Sequence, residues 1–494
     1  MEKQRKFVIW KSSFLVEIPK VYQYLFCAFL GILIGKFFVL KSPLFVLLTI
    51  GGLFFLIFSL AKPEIGILAM VFTISSIIFE PALPLVPIPV GSLHLTDVLL
   101  ISLLAMIPFK LFTDKNFRIS RTPLDWPLLL FYAAAVISSC IAIIYYKLDF
   151  NIVMRQFRHV TYYLIFFVVT NLIREIKHIK FLIKGLFSIA TFVGIAMIIQ
   201  AIVGESIRLM PGRIEKAGTL GQVYEATRIL PPGQTLIYVV FITTVCTIIF
   251  IDKPISKSSY FYILLIVGIG ILLTYNRNYW VSIIFSLSIF MILISKKGKK
   301  RVLAWFMITT ILMSVFSFTF FSIGGRSKEY LISVSERLSS LFEGEKMFRS
   351  ETLNYRRLEN EYALRQIVKH PLFGIGLANA YRPYVLGSGD WFYHQYIHNG
   401  YLWILLKMGL IGFLPFLWFY IYFLYRGFSN WKKIEDVFLK SAVIGFTLSG
   451  AGILLAVIVN PMFMQWFSIV VIASMIGLTE ASIRFNRCEL KKRD

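Results

Sequence analysis

Long apolar runs recur along almost the whole chain, from Val21 nearly to Ile483, and short polar clusters separate them. Each run is close to the roughly 20 apolar residues that a helix needs to cross a bilayer. Barrel strands are about half as long and alternate in polarity, whereas these runs can satisfy their backbone hydrogen bonds internally as helices. The pattern predicts an all-α polytopic membrane protein with about 12–14 transmembrane helices.

Composition supports this prediction and excludes a soluble protein. The 494 residues are 57% hydrophobic and only 16% charged, with a mean hydropathy of +0.75, whereas soluble domains carry about 25% charged residues. The first 20 residues are basic, but no small-residue cleavage site follows, so we expect an uncleaved first span. The cysteines lie mostly inside apolar runs without metal-ligand spacing, which is typical of core residues and indicates no disulfide framework; they are Cys27, Cys140, Cys246 and Cys488.

The net charge of +25 could suggest a nucleic-acid partner, but its distribution indicates a membrane. The basic residues form short clusters at the ends of apolar runs, as expected for positive-inside topology and contact with anionic lipid headgroups. We therefore expect membrane lipids as partners and no nucleic acid.

Placing each basic cluster in the cytoplasm gives a consistent topology of fourteen spans with both chain ends inside, and twelve spans remain an alternative. The cluster at residues 296–301 is the strongest inside marker, and residues 400–424 form one late span. The expected division is residues 1–322 with a smaller outer loop at about 204–234, a large outer loop at 323–399, and spans with a cytoplasmic tail at 400–494. Further outer connections are a proline-rich turn at 80–89, a short segment at 147–158 and the connection at 274–280.

The longest polar stretch, residues 324–400, is where chemistry in water can occur, and we take it as the functional centre. Arginines predicted on the outer side go against the positive-inside rule and therefore need a reason. They are Arg155, Arg158, Arg208, Arg213, Arg228, Arg277, Arg356, Arg357 and Arg365.

Arg277 is the clearest of these arginines, because it lies in a connection of a few residues between two apolar spans, beside Tyr275, Tyr279 and Trp280. One interpretation is an interfacial anchor that reaches lipid headgroups. The other is an anion ligand, because guanidinium groups bind phosphate oxygens in a bidentate manner.

The candidates for proton transfer on the outer side are His94, His370, His394 and His398. His370 precedes a proline and a glycine-rich turn, where a structural role is expected. His398 stands directly before Asn399 and Gly400 at the start of a span, so Asn399 is expected to cap that helix while the imidazole faces the site. A packing role for His398 is the alternative.

Sequence signatures of zinc sites, serine hydrolases and phosphate-binding loops are absent from the sequence. The acidic residues of the large loop form no recognisable metal-ligand cluster. We therefore expect no metal and no cofactor.

Several motifs resemble the shared core of the O-antigen ligase and O-antigen polymerase superfamily, over about residues 260–425. They are Arg356 followed by Glu359 and Ala363, the phrase HPLFGIGL at 370–377, HNGYL at 398–402 and KMGLIG at 407–412. The connection at 274–277 resembles the family's Ser-Arg turn, with asparagine in place of serine.

This resemblance implies a metal-independent, inverting glycosyltransferase in the bacterial inner membrane, with its active site facing the periplasm. The implied donor is a glycan on undecaprenyl pyrophosphate, and the acceptor is lipid A core or another glycan. The implied catalytic residues are His398, which positions or deprotonates the acceptor, and Arg277 and Arg356, which bind pyrophosphate. Residues expected to bind the pyrophosphate or the glycan are Arg228, Arg357, Asn399 and Tyr275.

Other functions remain open at this point. A polymerase that joins repeat units shares the donor, the topology and the arginines. A transporter of lipid-linked glycans is expected to have repeated halves and charged or broken helices within the membrane, and the concentration of polar residues in one loop disfavours it. A non-catalytic scaffold has no need of the outer arginines and histidines.

Overall fold

The computed structural model describes residues 52, 55, 57–78, 81, 83, 85–88, 91–205, 207–219, 222–251, 254–323, 351–383 and 394–490. The chain divides into two compact units, residues 1–61 and 62–494, and the described residues of the first unit are helical. The predicted first span and much of the predicted large loop lie outside the described residues.

Helices form most of the second unit. In chain order they are α1 (Pro63–Ser75), α2 (Leu95–Thr113), α3 (Asp125–Cys140), α4 (Phe150–Thr161), α5 (Ile165–Leu172), α6 (Ile176–Val203), α7 (Gln234–Phe250), α8 (Pro254–Leu273), α9 (Arg277–Leu293), α10 (Lys296–Ile323), α11 (Glu351–Lys369), α12 (Gly400–Asn430), α13 (Val437–Ala456) and α14 (Trp466–Leu490). A π-helical turn, Ile141–Tyr145, extends α3, and 3-10 turns precede α5 and follow α12.

The all-α polytopic membrane fold is confirmed. In the described part of the chain, six helical segments are long and apolar enough to cross a membrane, and they correspond to α2, α3, α6, α12, α13 and α14. Shorter apolar helices occur at α1, α7, α8 and α9. The total of 12–14 spans concerns the whole chain and stays a prediction.

Two small antiparallel hairpins interrupt the helices. Strands β1 (Val86–Ile88) and β2 (Gly91–Leu93) pair at the end of the proline-rich segment. Strands β3 (Arg213–Thr219) and β4 (Gln222–Leu230) pair within the predicted smaller outer loop, with a register shift between Lys216 and Gly218. The sequence analysis assigned no strands here.

The segment at 147–158, predicted as a short outer segment without an assigned secondary structure, is mostly helix. Asp149 caps α4 by accepting hydrogen bonds from the N–H groups of Asn151 (2.9 Å) and Ile152 (3.2 Å). Val153 and Val160 are buried, and their spacing of two helical turns places them on one face. The helix is amphipathic, so it lacks the continuous apolar run that marks a span in the sequence.

Small residues allow the inner helices to pack closely. At Gly445 of α13, the position that a Cβ would occupy is 2.6 Å from the Thr243 backbone of α7, and at Gly452 it is 1.9 Å from the Tyr238 hydroxyl. Close backbone approach at small residues is a usual basis of helix association in membranes. Helices α13 and α14 therefore form the packed interior against which α5, α7 and α9 lie.

Helix α12 is broken at Gly409, which has a φ of 60° and a ψ of −164°. The turn at 371–376, which follows α11, inserts at this break. Backbone groups on both sides of the break bond to the turn: Ile375 N–H donates to Leu406 O (2.9 Å), Gly376 N–H to Lys407 O (3.1 Å), Leu410 N–H to Pro371 O (2.9 Å) and Ile411 N–H to Leu372 O (3.2 Å).

The late span predicted at 400–424 lies within a helical segment that is long and apolar enough to cross a membrane, Gly400–Lys433, and the break at Gly409 within it was not foreseen. A helix interruption within a membrane is tolerated where other protein groups satisfy the freed backbone, and residues 371–376 do this. Only glycine readily adopts the Gly409 conformation. These bonds fix the position of α11 relative to the first part of α12. The predicted site residues lie on or next to these two helices.

Further hydrogen bonds from Ser138, Leu377 and Lys407 strengthen this junction. The Ser138 hydroxyl of α3 donates to Lys407 O (2.7 Å), and the Leu377 N–H donates to Ser138 O (3.4 Å). The fully buried Lys407 ammonium donates to the Asn379 carbonyl oxygen. Helix α3, the turn at 371–376 and α12 are thereby joined.

Candidate active site

Arg277 is presented by a tight turn between α8 and α9. Tyr275 has a φ of 48°, an unusual conformation for a bulky residue, and its side chain is buried. The Asn276 N–H donates to the Thr274 hydroxyl oxygen (3.2 Å), and the Asn276 side chain accepts from the Asn278 N–H (3.2 Å), capping α9. Arg277 is therefore the first residue of α9, and it is half-buried.

Arg228 of β4 supports this turn from the hairpin. Its Nε donates to the Thr274 carbonyl oxygen (3.1 Å) and its Nη1 to Glu215 Oε1 (2.8 Å). Burial lowers the pKa of the Arg228 guanidinium, Glu215 opposes this, and Arg213 and Arg277 add to the lowering. Arg228 thus fixes the turn and contributes positive potential next to Arg277.

Arg356 of α11 adds a third guanidinium group. Its Nε is buried without a hydrogen-bond partner in the structure as described. Burial lowers the pKa of Arg356, Glu359 and Tyr396 oppose this, and repulsion from Arg277 lowers it further. Arg277 therefore interacts electrostatically with both Arg228 and Arg356, although the three lie on different elements of the fold.

This arrangement is suited to an anion. Half-buried cations that repel one another and leave a donor unsatisfied are stabilised when a negative group enters between them. Guanidinium forks match the oxygens of phosphate groups. The cluster can bind a phosphate or pyrophosphate group.

His398 lies beside a buried carboxylate. Its Nδ1 is 2.8 Å from Oε2 of Glu359, and its backbone N–H donates to the same oxygen (3.2 Å). The Glu359 side chain is only 1% exposed, and its Oε1 lies 3.6 Å from Nη2 of Arg382. The His398 side chain is 32% exposed, so the imidazole is reachable from outside.

Two tyrosines flank the imidazole. The ring centroids of Tyr396 and His398 are 4.9 Å apart at a right angle, and Tyr355 lies 6.4 Å away on another side. Burial raises the pKa of the Tyr396 phenol to about 12, so this group stays neutral near pH 7. The rings restrict the orientation of the imidazole.

Asn399 caps α12, as the sequence predicted. Its side-chain oxygen accepts from the N–H groups of Tyr401 (3.0 Å) and Leu402 (3.1 Å). His398 is therefore held at a defined helix start. This geometry gives Asn399 a structural role, and its contact with substrate stays a prediction.

A glutamine of α4 connects two segments next to the site. The Gln156 side chain donates to Gln395 Oε1 (3.0 Å) and accepts from the Ala378 N–H (2.8 Å). Residues 378 and 395 belong to the segments that follow the turn at 371–376 and precede His398. Helix α4 therefore anchors both.

The remaining outer arginines occupy other environments. Arg357 is exposed on α11 and makes no hydrogen bond or ion pair with the residues that the structure describes, so its role in binding stays a prediction. Arg158 pairs with Asp97 at 2.7 Å and lies over Trp466, which indicates a structural role. Exposed ion pairs hold Arg213 and Arg365, whereas Arg155 and Arg208 are exposed.

The other histidines are structural by their contacts. His94 caps α2, with its N–H donating to Asp97 (2.9 Å). The His370 carbonyl accepts from the Gly374 N–H (3.0 Å) within the turn that enters the α12 break. His394 is buried, with Nδ1 3.1 Å from Pro383 O.

No group of three potential metal ligands among His, Cys, Asp and Glu occurs within the described ranges. The expectation of a metal-independent reaction stays a prediction. The chemistry available at the site comes from an imidazole, a carboxylate and several guanidinium groups.

Sequence reasoning placed Glu359 in the family motif but assigned it no role, and it missed Arg382 and Gln156. A signal for Glu359 existed, because it shares a buried α11 stripe with Ala363 and Ile367, where a carboxylate requires partners. Arg382 and Gln156 gave no such signal, since their contacts join distant parts of the chain.

Residues 262–417 match the family model described as O-Antigen ligase. This range contains Arg277, the described part of α11, His398 and the break in α12, whereas Arg228 lies outside it. No curated protein sequence matches the chain.

Proposed function

Because residues 262–417 belong to the O-antigen ligase and polymerase superfamily, we propose that the protein is a glycosyltransferase of the bacterial inner membrane that acts on the periplasmic face. It transfers a glycan from undecaprenyl pyrophosphate to a hydroxyl group of lipid A core or a similar acceptor. The observation that carries this proposal is the juxtaposition of Arg356, with its unsatisfied Nε, and the His398–Glu359 pair at one site.

The arginines bind the leaving group in this mechanism. When the bond between the anomeric carbon and the phosphate oxygen breaks, its electron pair and negative charge pass to the pyrophosphate. Arg277 and Arg356 stabilise this developing charge, while Arg228 holds the Arg277 turn. By analogy with a single oxyanion-hole donor, each direct contact contributes about 2.7–4 kcal/mol to the transition state.

His398 acts on the acceptor. As the acceptor oxygen bonds to the anomeric carbon, its proton moves to the imidazole, and attack opposite the pyrophosphate inverts the configuration. A positioned general base contributes roughly 10²–10⁴-fold to the rate. The exposed side of His398 leaves room for an acceptor.

Transfer by purified protein, with a glycan on undecaprenyl pyrophosphate as donor, tests this proposal. We expect His398→Ala and Arg356→Ala each to lower the rate by at least about 10²-fold. Arg365→Ala is the matched control, because Arg365 lies exposed on the same helix and its contacts, an ion pair with Glu361 and a ring contact with Tyr362, are to neighbours on that helix. Transfer at the wild-type rate by His398→Ala would show that this residue is not the base.

Rival acceptors in the same assay separate ligase from polymerase. Lipid A core and a free repeat unit are offered together, and the product that forms is identified. We expect transfer to lipid A core. If only the repeat unit is extended, the protein is a polymerase instead.

The transporter alternative requires a second measurement, because α12 is a broken helix of the kind that transporters use. Here residues 371–376 fill the break, which makes it a structural junction. In proteoliposomes, movement of the donor between leaflets without formation of a glycosidic bond would establish the transporter.

A further inference from the structure

Glu359 is a buried carboxylate to which the proposed transfer assigns no role so far. Its side chain is 1% exposed and lies on the α11 stripe that faces α12. A buried ionised carboxylate is costly unless donors and a counter-charge surround it. The burial of Glu359 therefore requires an explanation, and its contacts with His398 and Arg382 provide one.

The two carboxylate oxygens of Glu359 have different partners: His398 contacts Oε2, whereas Oε1 accepts no hydrogen bond from the described residues and is paired with the charge of Arg382. Oε2 accepts from the His398 backbone N–H (3.2 Å) and lies 2.8 Å from His398 Nδ1. Oε1 lies 3.6 Å from Nη2 of Arg382, whose guanidinium is 4.9 Å from the Tyr355 ring centroid. Arg382 balances the negative charge and limits rotation of the carboxylate.

These contacts determine which nitrogen of His398 carries the proton. An ionised carboxylate only accepts hydrogen bonds, so the short contact requires the proton on Nδ1. In the neutral ring Nε2 then has the free electron pair. Nε2 has no hydrogen-bond partner among the residues that the structure describes, and the side chain is partly exposed.

We propose that Glu359 is the positioning residue of the transferase: it fixes the Nδ1–H tautomer of His398 and holds Nε2 as the atom that receives the acceptor proton. This inference rests on the proposed function. As the acceptor oxygen bonds to the anomeric carbon, the proton moves to Nε2 and the pyrophosphate leaves with the electron pair. The imidazolium that forms is stabilised by the adjacent carboxylate.

Kinetics of Glu359→Gln provide the first test. An amide cannot accept hydrogen bonds on both sides, so it either loses its contact with Arg382 or turns its NH₂ group towards His398. We expect kcat to fall by about 10²-fold. Replacing a residue that orients a metal-binding histidine typically costs about 10–100-fold, and replacing the carboxylate of a Ser-His-Asp triad costs about 10⁴-fold. KM for the donor does not rise, because removing the negative charge near Arg356 does not weaken the attraction of this arginine for pyrophosphate. The matched control Glu361→Gln, two residues away and 52% exposed, keeps the wild-type kcat.

Nitrogen-15 NMR of histidine-labelled wild-type protein provides a test that needs neither activity nor a Glu359 variant. The His398 signals are identified by their loss in His398→Gln. We expect a protonated Nδ1 and an unprotonated Nε2. The opposite tautomer, or an unchanged kcat in Glu359→Gln, overturns the proposal. If the expected tautomer is found but wild-type protein transfers no glycan, the proposed function fails while the orientation of His398 by Glu359 stands.

Discussion

Replacing Gly409 with alanine tests whether the break in α12 is essential to the fold. The added Cβ would lie 2.2 Å from the carbonyl oxygen and 2.4 Å from the carbonyl carbon of Leu372, and 2.6 Å from the nitrogen of Gly374. These are backbone atoms, so the clash cannot be relieved by rotating a side chain. Either α12 or the turn at 371–376 must move.

The cost has two parts. The φ of 60° and ψ of −164° place Gly409 in a region that is essentially restricted to glycine, which costs an alanine about 1–3 kcal/mol. Separating the segments weakens the four backbone hydrogen bonds across the break, and losing two of them adds about 1–3 kcal/mol. We expect a total destabilisation of about 2–6 kcal/mol.

Unfolding of purified protein in detergent, followed by heating or by titration with denaturing detergent, measures this effect. Gly270→Ala is the control, because its added Cβ makes only an ordinary contact with Met197 Sδ at 3.4 Å; we expect a change below about 1 kcal/mol. We also expect Gly409→Ala to lose activity, since the break holds α11 in register with His398. If the Gly409 and Gly270 variants unfold like wild type, the junction does not support the fold as argued.

Further changes test separate parts of the molecule. Asn399→Ala removes the cap next to His398 and is expected to cost about 1 kcal/mol of stability, with reduced transfer, whereas full activity would show that the cap does not position His398. Arg426 and Glu480 form a buried bidentate pair at 2.6 and 2.7 Å, so Arg426→Met alone is expected to cost about 3–5 kcal/mol. The double variant Arg426→Met/Glu480→Gln should recover much of that loss in the same unfolding assay, and equal losses would contradict the pairing argument. Transfer is expected to continue in EDTA, and loss of activity restored by a divalent ion would overturn the metal-independent mechanism.

The sequence predicted the fold class because a bilayer requires each spanning helix to be a long, mainly apolar run, and such runs can be read directly from the residue types. It did not predict the amphipathic α4, because a helix with Arg155 and buried Val153 on different faces lacks a continuous apolar run. It also missed the break in α12. Gly409 is one glycine among many in the sequence, and its φ depends on a turn more than 30 residues earlier.

The candidate site, like the fold, was predicted only in part from the sequence. The sequence indicated Arg277, Arg356 and His398 as single residues whose position or motif was unusual. The contacts of Glu359 and Arg382 depend on how α11 lies against the start of α12, which requires the folded chain. The structure confirms the predicted cap by Asn399 and gives Arg228 a local supporting role that its residue type alone did not indicate.

The exchange of backbone hydrogen bonds at Gly409 also couples the stability of two separate stretches of the chain. The four bonds join residues 406–411 to the turn at 371–376, so opening either segment leaves backbone groups of the other without partners. We therefore expect the two segments to unfold locally as one cooperative unit. Local opening at Gly409 would then also loosen the connection between α11, which carries Glu359, and the helix that begins after His398.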